Sequence, residues 1–404
     1  MSLRRQLLMS FGVQGAGAAS VLLATVWLGA AVGPEQQGAF NRTKAEIEFV
    51  AALALLGLPQ AVFYYLQSGA LSMQRALRCA AASVVLALAA GAAYALVQRN
   101  SAAAAVWMAL AVGACVCHGQ LRAMILVGER TAWFNAVTAL PQVLLLAAVA
   151  LVVAGNGDGD GNGNGNSRLP WPAVFLFAFG AAAMLAAWRL HTTPVAPRTS
   201  TVGWRSLAHY GLGAWLLAVL STGAMLLMQR WVEARAGAAA LGQFTLAMSL
   251  VLVPLVPIAY AAPLLFRRWI AQPDSPALWR WATGLCSALL LGALAVWAGA
   301  DAWPDLGLGA AYEGTTRVLA VLLGGAAAEA ALRLLTVQAG AKGQPWIPVR
   351  AELFRGTVLL TGWLLPLPPG LLPLCAVWSL GCWSAAAALV WPGRARGRAP
   401  VAAP

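Results

Sequence analysis

Six ionisable side chains, Arg317, Glu329, Arg333, Arg350, Glu352 and Arg355, fall within otherwise apolar stretches near the C-terminal end of the chain. A charge at the centre of a bilayer costs about 2.5–3.5 kcal/mol on insertion scales, so such residues mark a substrate or ion pathway by default. Glu329 and Arg333 are four apart and share a helix face; Glu352 and Arg355, three apart, share another. Either pair could line a pathway, or simply neutralise itself and lock helix packing. Arg317 and Arg350 lie near the ends of their stretches, where long side chains reach the interface. A second cluster, Arg42, Lys44, Glu46 and Glu48, pairs at the same four-residue spacing. It reads as a charged vestibule, a proton-linked gate or a solvated helix start.

Other chemistry is weakly signalled. Cys115-Val-Cys117-His118 offers one Cys pair and one His, with no second ligand pair near it, so no metal site is expected. The Gly/Asn-rich run 155–166 holds Asp158 and Asp160 at EF-hand spacing. Leu169 stands where the twelfth-position Glu would be, and the run reads as a flexible linker. No catalytic constellation is visible. The six cysteines all lie in apolar stretches rather than loops, against a disulfide framework.

The elements that must position these residues follow from composition. Of 404 residues 61% are hydrophobic and only 10% charged, against about 25% charged in ordinary soluble domains. This excludes a soluble enzyme, a nucleic-acid-binding domain and a secreted disulfide scaffold. Segments of about 20 apolar residues span a bilayer, and backbone satisfaction in lipid makes them helices. Twelve are expected: 10–32, 45–66, 79–97, 102–121, 133–154, 171–190, 207–228, 240–266, 277–299, 315–339, 346–366 and 371–391. Helix two is the least apolar. Thr43 and Glu46 have capping-box spacing and place its start at the interface.

The net charge is +13, from 24 Arg and two Lys against 13 acids. With the N-terminus in the cytoplasm, cytoplasmic segments hold 16 cations and two acids, while outer segments hold six cations and seven acids. That asymmetry supports an even helix count with both termini inside. Arg4 and Arg5 then hold the N-terminus in the cytoplasm rather than opening a signal peptide.

The chain also repeats itself. At an offset of 204 residues, Trp27 meets Trp231, Ala30 meets Ala234, Gly33 meets Gly237, Gly38 meets Gly242, Phe40 meets Phe244 and Pro59 meets Pro263. A second echo relates Arg122–Trp133 to Arg333–Trp346, making Arg122 and Arg333 quasi-equivalent. The halves share one orientation, so a pathway should run between them. The expected fold is an all-α membrane protein of about twelve helices, in two pseudo-symmetric six-helix lobes around a central cavity. The lobes are placed at 1–190 and 207–392, with a cytoplasmic linker at 191–206 and a basic tail at 393–404.

The run Gly33-Pro-Glu-Gln-Gln-Gly-Ala-Phe40, followed by Leu56-Gly-Leu-Pro-Gln-Ala-Val-Phe-Tyr-Tyr65, resembles the first two helices of polysaccharide-biosynthesis flippases. These O-antigen and exopolysaccharide repeat-unit translocases are related to lipid II flippases and to multidrug and toxin extrusion exporters. Gly128-Glu-Arg through Asn135, Pro141-Gln142, and Gln229-Arg230 through Phe244 are similar to the family in the same order. Gln229 stands where many relatives carry an acid.

The resemblance implies translocation of undecaprenyl-diphosphate-linked oligosaccharides to the outer leaflet of a bacterial inner membrane, by alternating access and without covalent chemistry. Arg42, Lys44, Arg122, Arg230, Arg333 and Arg355 would receive diphosphate or sugar, since a guanidinium fork binds phosphate oxygens bidentately and stays charged. Glu46, Glu48, Glu329 and Glu352 would serve ion coupling or gating. No cofactor is implied, and proton or sodium coupling stays open. Membrane lipids and a polysaccharide polymerase or glycosyltransferases are the expected partners, and no nucleic acid is. Two alternatives are a multidrug-type cation antiporter of the same superfamily and a polytopic glycosyltransferase or polymerase.

Overall fold

A computed structural model describes residues 3–127, 131–156, 170–192, 201–271 and 277–390. Within them the chain forms thirteen α-helices and no strand: α1 (Leu3–Leu55), α2 (Leu58–Gln67), α3 (Met73–Val97), α4 (Ala102–Val127), α5 (Thr131–Asn156), α6 (Trp171–His191), α7 (Trp204–Ala236), α8 (Ala238–Leu252), α9 (Val256–Ala271), α10 (Ala277–Ala298), α11 (Thr315–Ala341), α12 (Trp346–Leu364) and α13 (Leu371–Val390). Among the described residues, ten helical stretches are long and apolar enough to cross a membrane. One of them, Leu8–Leu55, has 48 residues, or roughly 70 Å at 1.5 Å per residue, about twice a bilayer core. It is two crossings. Gly33 (φ 82°, ψ 171°) breaks α1, and Pro34 restarts it, because only glycine enters that backbone region freely and proline suits a first helical turn. α12 adds a twelfth crossing; Arg350, Glu352 and Arg355 are what take it below the apolar threshold.

The protein is therefore a multi-pass membrane protein with twelve crossings in two pseudo-symmetric lobes. The 204-residue repeat is visible in the backbone. Gly237 separates α7 from α8 with φ 91° and ψ 173°, nearly the conformation of Gly33. Packing repeats too. The first arm of α1 lies on α5, α3 on α4, and α4 on α6; their counterparts α7 on α12, α10 on α11, and α11 on α13 do the same. Each lobe has its own apolar core, one around Leu28, Phe40, Val112 and Phe175, the other around Trp231, Phe244, Leu322 and Leu374. Phe40 and Phe244, matched by the repeat, are both buried there, and Phe40 stacks on Phe175 at 5.2 Å.

Helix two departs from expectation. It runs from Pro34 rather than from residue 45, and Thr43 is no cap: its hydroxyl donates to the Ala39 carbonyl, 3.0 Å away, inside the helix. Arg42, Lys44, Glu46 and Glu48 thus sit roughly 12–20 Å along the helix from its start, not at a solvated end. Charge made the segment look peripheral, whereas ion pairing keeps it in the bundle. The crossing continues through a break at Gly57 (φ 65°) into α2. Its repeat equivalent is α8, a 3-10 turn at Val253–Leu255, and α9. Arg230 and Glu233, expected in an outer loop, are helical, because α7 extends to Ala236.

The lobes meet along these two broken helices. At one end Gly38 packs on Gly242: a Cβ added to Gly242 would lie 2.1 Å from the Pro34 carbonyl oxygen. Asn41 Nδ2 donates to Thr245 Oγ1 at 3.4 Å, again joining residues 204 apart. Tyr312, just before α11, donates its hydroxyl to Gln37 Oε1 at 2.7 Å. At the other end Phe63 meets Phe266 at 5.5 Å, and Tyr64 stacks on Tyr210 at 4.7 Å. Contacts between the lobes are therefore made at both ends.

Candidate functional site: an ionic cavity between the lobes

A cavity of about 210 Å³ lies between these two sets of contacts. Its wall in the second lobe comes from α7 (Ser221, Thr222, Met225), α8 (Met248, Val251), α11 (Glu329, Arg333) and the pair Arg355 and Trp378 from α12 and α13. The first lobe contributes Ala45 and Glu48 from the second arm of α1.

The chemistry concentrates on Glu329. Arg333 Nε donates to Glu329 Oε1 at 2.9 Å, the predicted same-face pair. Arg355 Nη2 donates to Glu329 Oε2 from the neighbouring helix and lies 3.4 Å from Glu352 Oε1. The two predicted pairs are thus one four-residue network across α11 and α12. Arg355 is 2% exposed and Glu352 4% exposed. The Arg355 guanidinium also sits 5.5 Å from the Trp378 ring centroid, a cation–π contact. Glu352 Oε2 and Arg355 Nε are buried without a hydrogen-bond partner. Arg333 differs. Among the described residues only its Nε is engaged, and its side chain, which lines the cavity, is 35% exposed. Its two terminal amino groups form a planar fork suited to a phosphate or carboxylate.

Glu48 stands in the opposite wall, 47% exposed, with Lys44 Nζ 3.7 Å from its carboxylate. The cavity therefore carries acid from one lobe and a partly neutralised arginine pair from the other. It is amphoteric rather than broadly cationic.

The remaining candidates go elsewhere. Arg42 bonds Glu233, and Arg230 bonds Glu46, so both guanidinium groups are used in ion pairs between the lobes. Arg122 lies over the Phe134 ring at 5.8 Å and has no acidic partner among the described residues. Arg317 pairs with Asp301 on the surface, and Arg350 is exposed, as interfacial residues would be. His118 Nε2 is engaged by the Val137 carbonyl at 3.0 Å. Asp158 and Asp160, residues 193–200 of the linker and the tail at 393–404 lie outside the described residues, while α6 runs to His191 and α7 starts at Trp204.

Sequence reasoning did not find Ser221, Thr222, Met248, Trp378 or Cys382 in the cavity wall. Each is an ordinary residue of an apolar helix, and no local signal sets it apart. The Arg355–Glu329 bond was equally hidden, since it joins residues 26 apart on two helices.

The fold defines a class: a two-lobed membrane protein of twelve crossings. Twenty-four solved chains share it significantly. Among them is an outward-facing multidrug resistance MATE family transporter of the MOP superfamily (TM-score 0.67, 13% identity, 96% of this chain and 94% of that one). An inward-facing member of that family is similar as well (TM-score 0.65, 13% identity, covering 95% and 97%). So is a MOP superfamily transporter from Pyrococcus furiosus, described as having a binding pocket of reversed polarity (TM-score 0.63, 15% identity, covering 96% and 93%). No family model and no curated protein matches the sequence.

Proposed function

We propose that the chain is a transporter that moves a lipid-linked, phosphate-bearing oligosaccharide across the membrane by alternating access. One observation carries this reading: Arg333 lines the cavity between the lobes, held by Glu329, which Arg355 also bonds, and its guanidinium fork has no partner among the described residues. Such a fork can take a diphosphate bidentately in a site of low dielectric. The cavity of about 210 Å³ is smaller than the roughly 300–1,000 Å³ of small-molecule sites. It admits a headgroup fragment, and a glycan needs the lobes to part.

In this reading Arg333, Arg355 and Lys44 receive the anionic group, and Arg122 attracts it to the mouth. Arg42 and Arg230 become available when their ion pairs open. Glu46 belongs to the gate, while Glu48, Glu329 and Glu352 sense a proton or sodium gradient. The charge asymmetry supports an orientation with the Gly33/Gly237 end outside and both termini cytoplasmic, the internal repeat supports lobes at 1–190 and 207–392, and the flippase reading puts the chain in a bacterial inner membrane. The mechanism needs no bond-making, so no enzyme activity is assigned. A polymerase or glycosyltransferases would act on the same lipid-linked units before or after transfer.

A second reading, a multidrug-type cation antiporter, is favoured by Glu48 in the cavity wall. One experiment separates the two. Purified protein in liposomes is given a fluorescent lipid-diphosphate oligosaccharide or a lipophilic organic cation, under imposed proton or sodium gradients. The flippase reading expects translocation of the first, lost in Arg333→Gln. Transport of the cation alone, lost in Glu48→Gln, would establish the second.

A further inference from the structure

The two crossings that meet at the Gly33/Gly237 end carry a reciprocal ion lattice. Arg42 and Glu46 lie one turn apart on α1; Arg230 and Glu233 lie one turn apart on α7. The helices run antiparallel, so Arg42 meets Glu233 and Arg230 meets Glu46, while Arg42 Nε also stays 3.9 Å from Glu46 Oε1. Each lobe thus offers one cation and one anion and receives the complement. Side-chain exposures are 32% and 27% for Arg42 and Glu233, and 37% and 12% for Arg230 and Glu46. These pairs are part-solvated, so an ion arriving from water can compete for them.

The same junction has two apolar or neutral contacts that hold only while the lobes touch, Gly38 on Gly242 and Asn41 on Thr245. Arg42 and Arg230 are also the described guanidinium groups that bond a carboxylate of the other lobe. When the lobes separate, both lose the carboxylate they bond across the junction, and Arg42 keeps Glu46 on its own helix.

We propose that Glu233 and Glu46 act as internal stand-ins for a substrate's phosphate oxygens: they occupy Arg42 and Arg230 while this end is closed, and a diphosphate group opens it by exchanging for them. This rests on the flippase reading and deepens it, since it makes the substrate's own anionic group the key to the gate. The exchange conserves charge pairing. Two carboxylates leave two guanidinium groups as a dianion or trianion arrives, and the freed acids become solvated as the gate opens.

Asn41 supplies a reporter, because it is buried at the closed junction. The full-length Asn41→Cys protein in nanodiscs, which expose both faces, is labelled with a hydrophilic maleimide and compared with the parent chain to subtract the native cysteines. The probes are inorganic pyrophosphate, the soluble headgroup of a lipid-diphosphate sugar, and nanodiscs rich in an anionic phospholipid. Glu233→Gln and Glu46→Gln should each speed labelling about fivefold. The double reversal Glu46→Arg with Arg230→Glu should restore slow labelling. Pyrophosphate and the diphosphate sugar should speed labelling of the unmodified lattice, and do so less in Arg42→Gln. Acceleration by the anionic phospholipid alone would identify lipid as the trigger and overturn the substrate assignment. Unchanged labelling in both Glu variants would overturn the latch, and so would a double reversal as fast as either single variant. If pyrophosphate opens the gate while the liposomes transport no lipid-diphosphate, the flippase reading fails and the latch stands. If transport occurs and no diphosphate probe changes labelling, the reverse holds.

Discussion

The contact at Gly242 allows a quantitative test of closure. A Cβ placed there lies 2.1 Å from the Pro34 oxygen, 2.6 Å from its carbonyl carbon and 2.7 Å from its Cα. Ordinary contact begins at 3.4 Å, so the shortfall is about 1.3 Å. All three atoms are backbone, and they belong to the turn that restarts the helix after Gly33. No side-chain rotation relieves the clash, so α8 and α1 must separate. Overpacking of this kind costs about 1–3 kcal/mol. Alanine's helix propensity, up to about 1 kcal/mol, is gained in the open and closed states alike and cancels. The clash, about 1–3 kcal/mol against the closed junction, therefore moves its population roughly 5–150-fold. Gly292 is the control, since a Cβ there meets nothing within 4 Å. Maleimide labelling of Asn41→Cys should accelerate by that factor in Gly242→Ala and stay unchanged in Gly292→Ala. Thermal unfolding in detergent should shift little in both, because the clash lies between lobes rather than within a core. Equal labelling in the two variants would refute the claim that this glycine holds the lobes together.

Four further outcomes follow from the same geometry. Arg355→Leu leaves Glu352 buried without a cation and should cost about 3–5 kcal/mol, read as loss of folded protein in a melting assay. Arg333→Gln, at a part-exposed site, should cost under about 1 kcal/mol and instead abolish lipid-diphosphate translocation. Gly57→Ala places a Cβ 1.9 Å from the Gly211 carbonyl oxygen at a residue with φ 65°; the left-handed backbone alone costs about 1–2 kcal/mol, so its melting temperature should fall well below that of Gly292→Ala. Arg317→Gln breaks only an exposed pair with Asp301 and should change stability by less than about 0.5 kcal/mol.

Much of the architecture was legible in the chain itself. Apolar length and lipid's intolerance of unpaired backbone require helices, and the matched Gly33/Gly237, Gly38/Gly242 and Phe40/Phe244 announce two like halves. These are local or periodic signals, and the backbone reproduces them, with the same positive φ at both glycines. The start of helix two was misread for the same reason: Arg42 through Glu48 look solvated when their partners are unseen. Tertiary structure decided what those charges do. It put Glu233 against Arg42 and Glu46 against Arg230, 191 and 184 residues apart. It also joined Glu329 to Arg355, brought Glu48 across from Arg333 and left the Arg333 fork without a partner among the described residues. A sequence shows which side chains are ionisable and which share a helix face. Whether a buried charge is neutralised, locked or available depends on the helix packed against it, and only the folded chain supplies that neighbour.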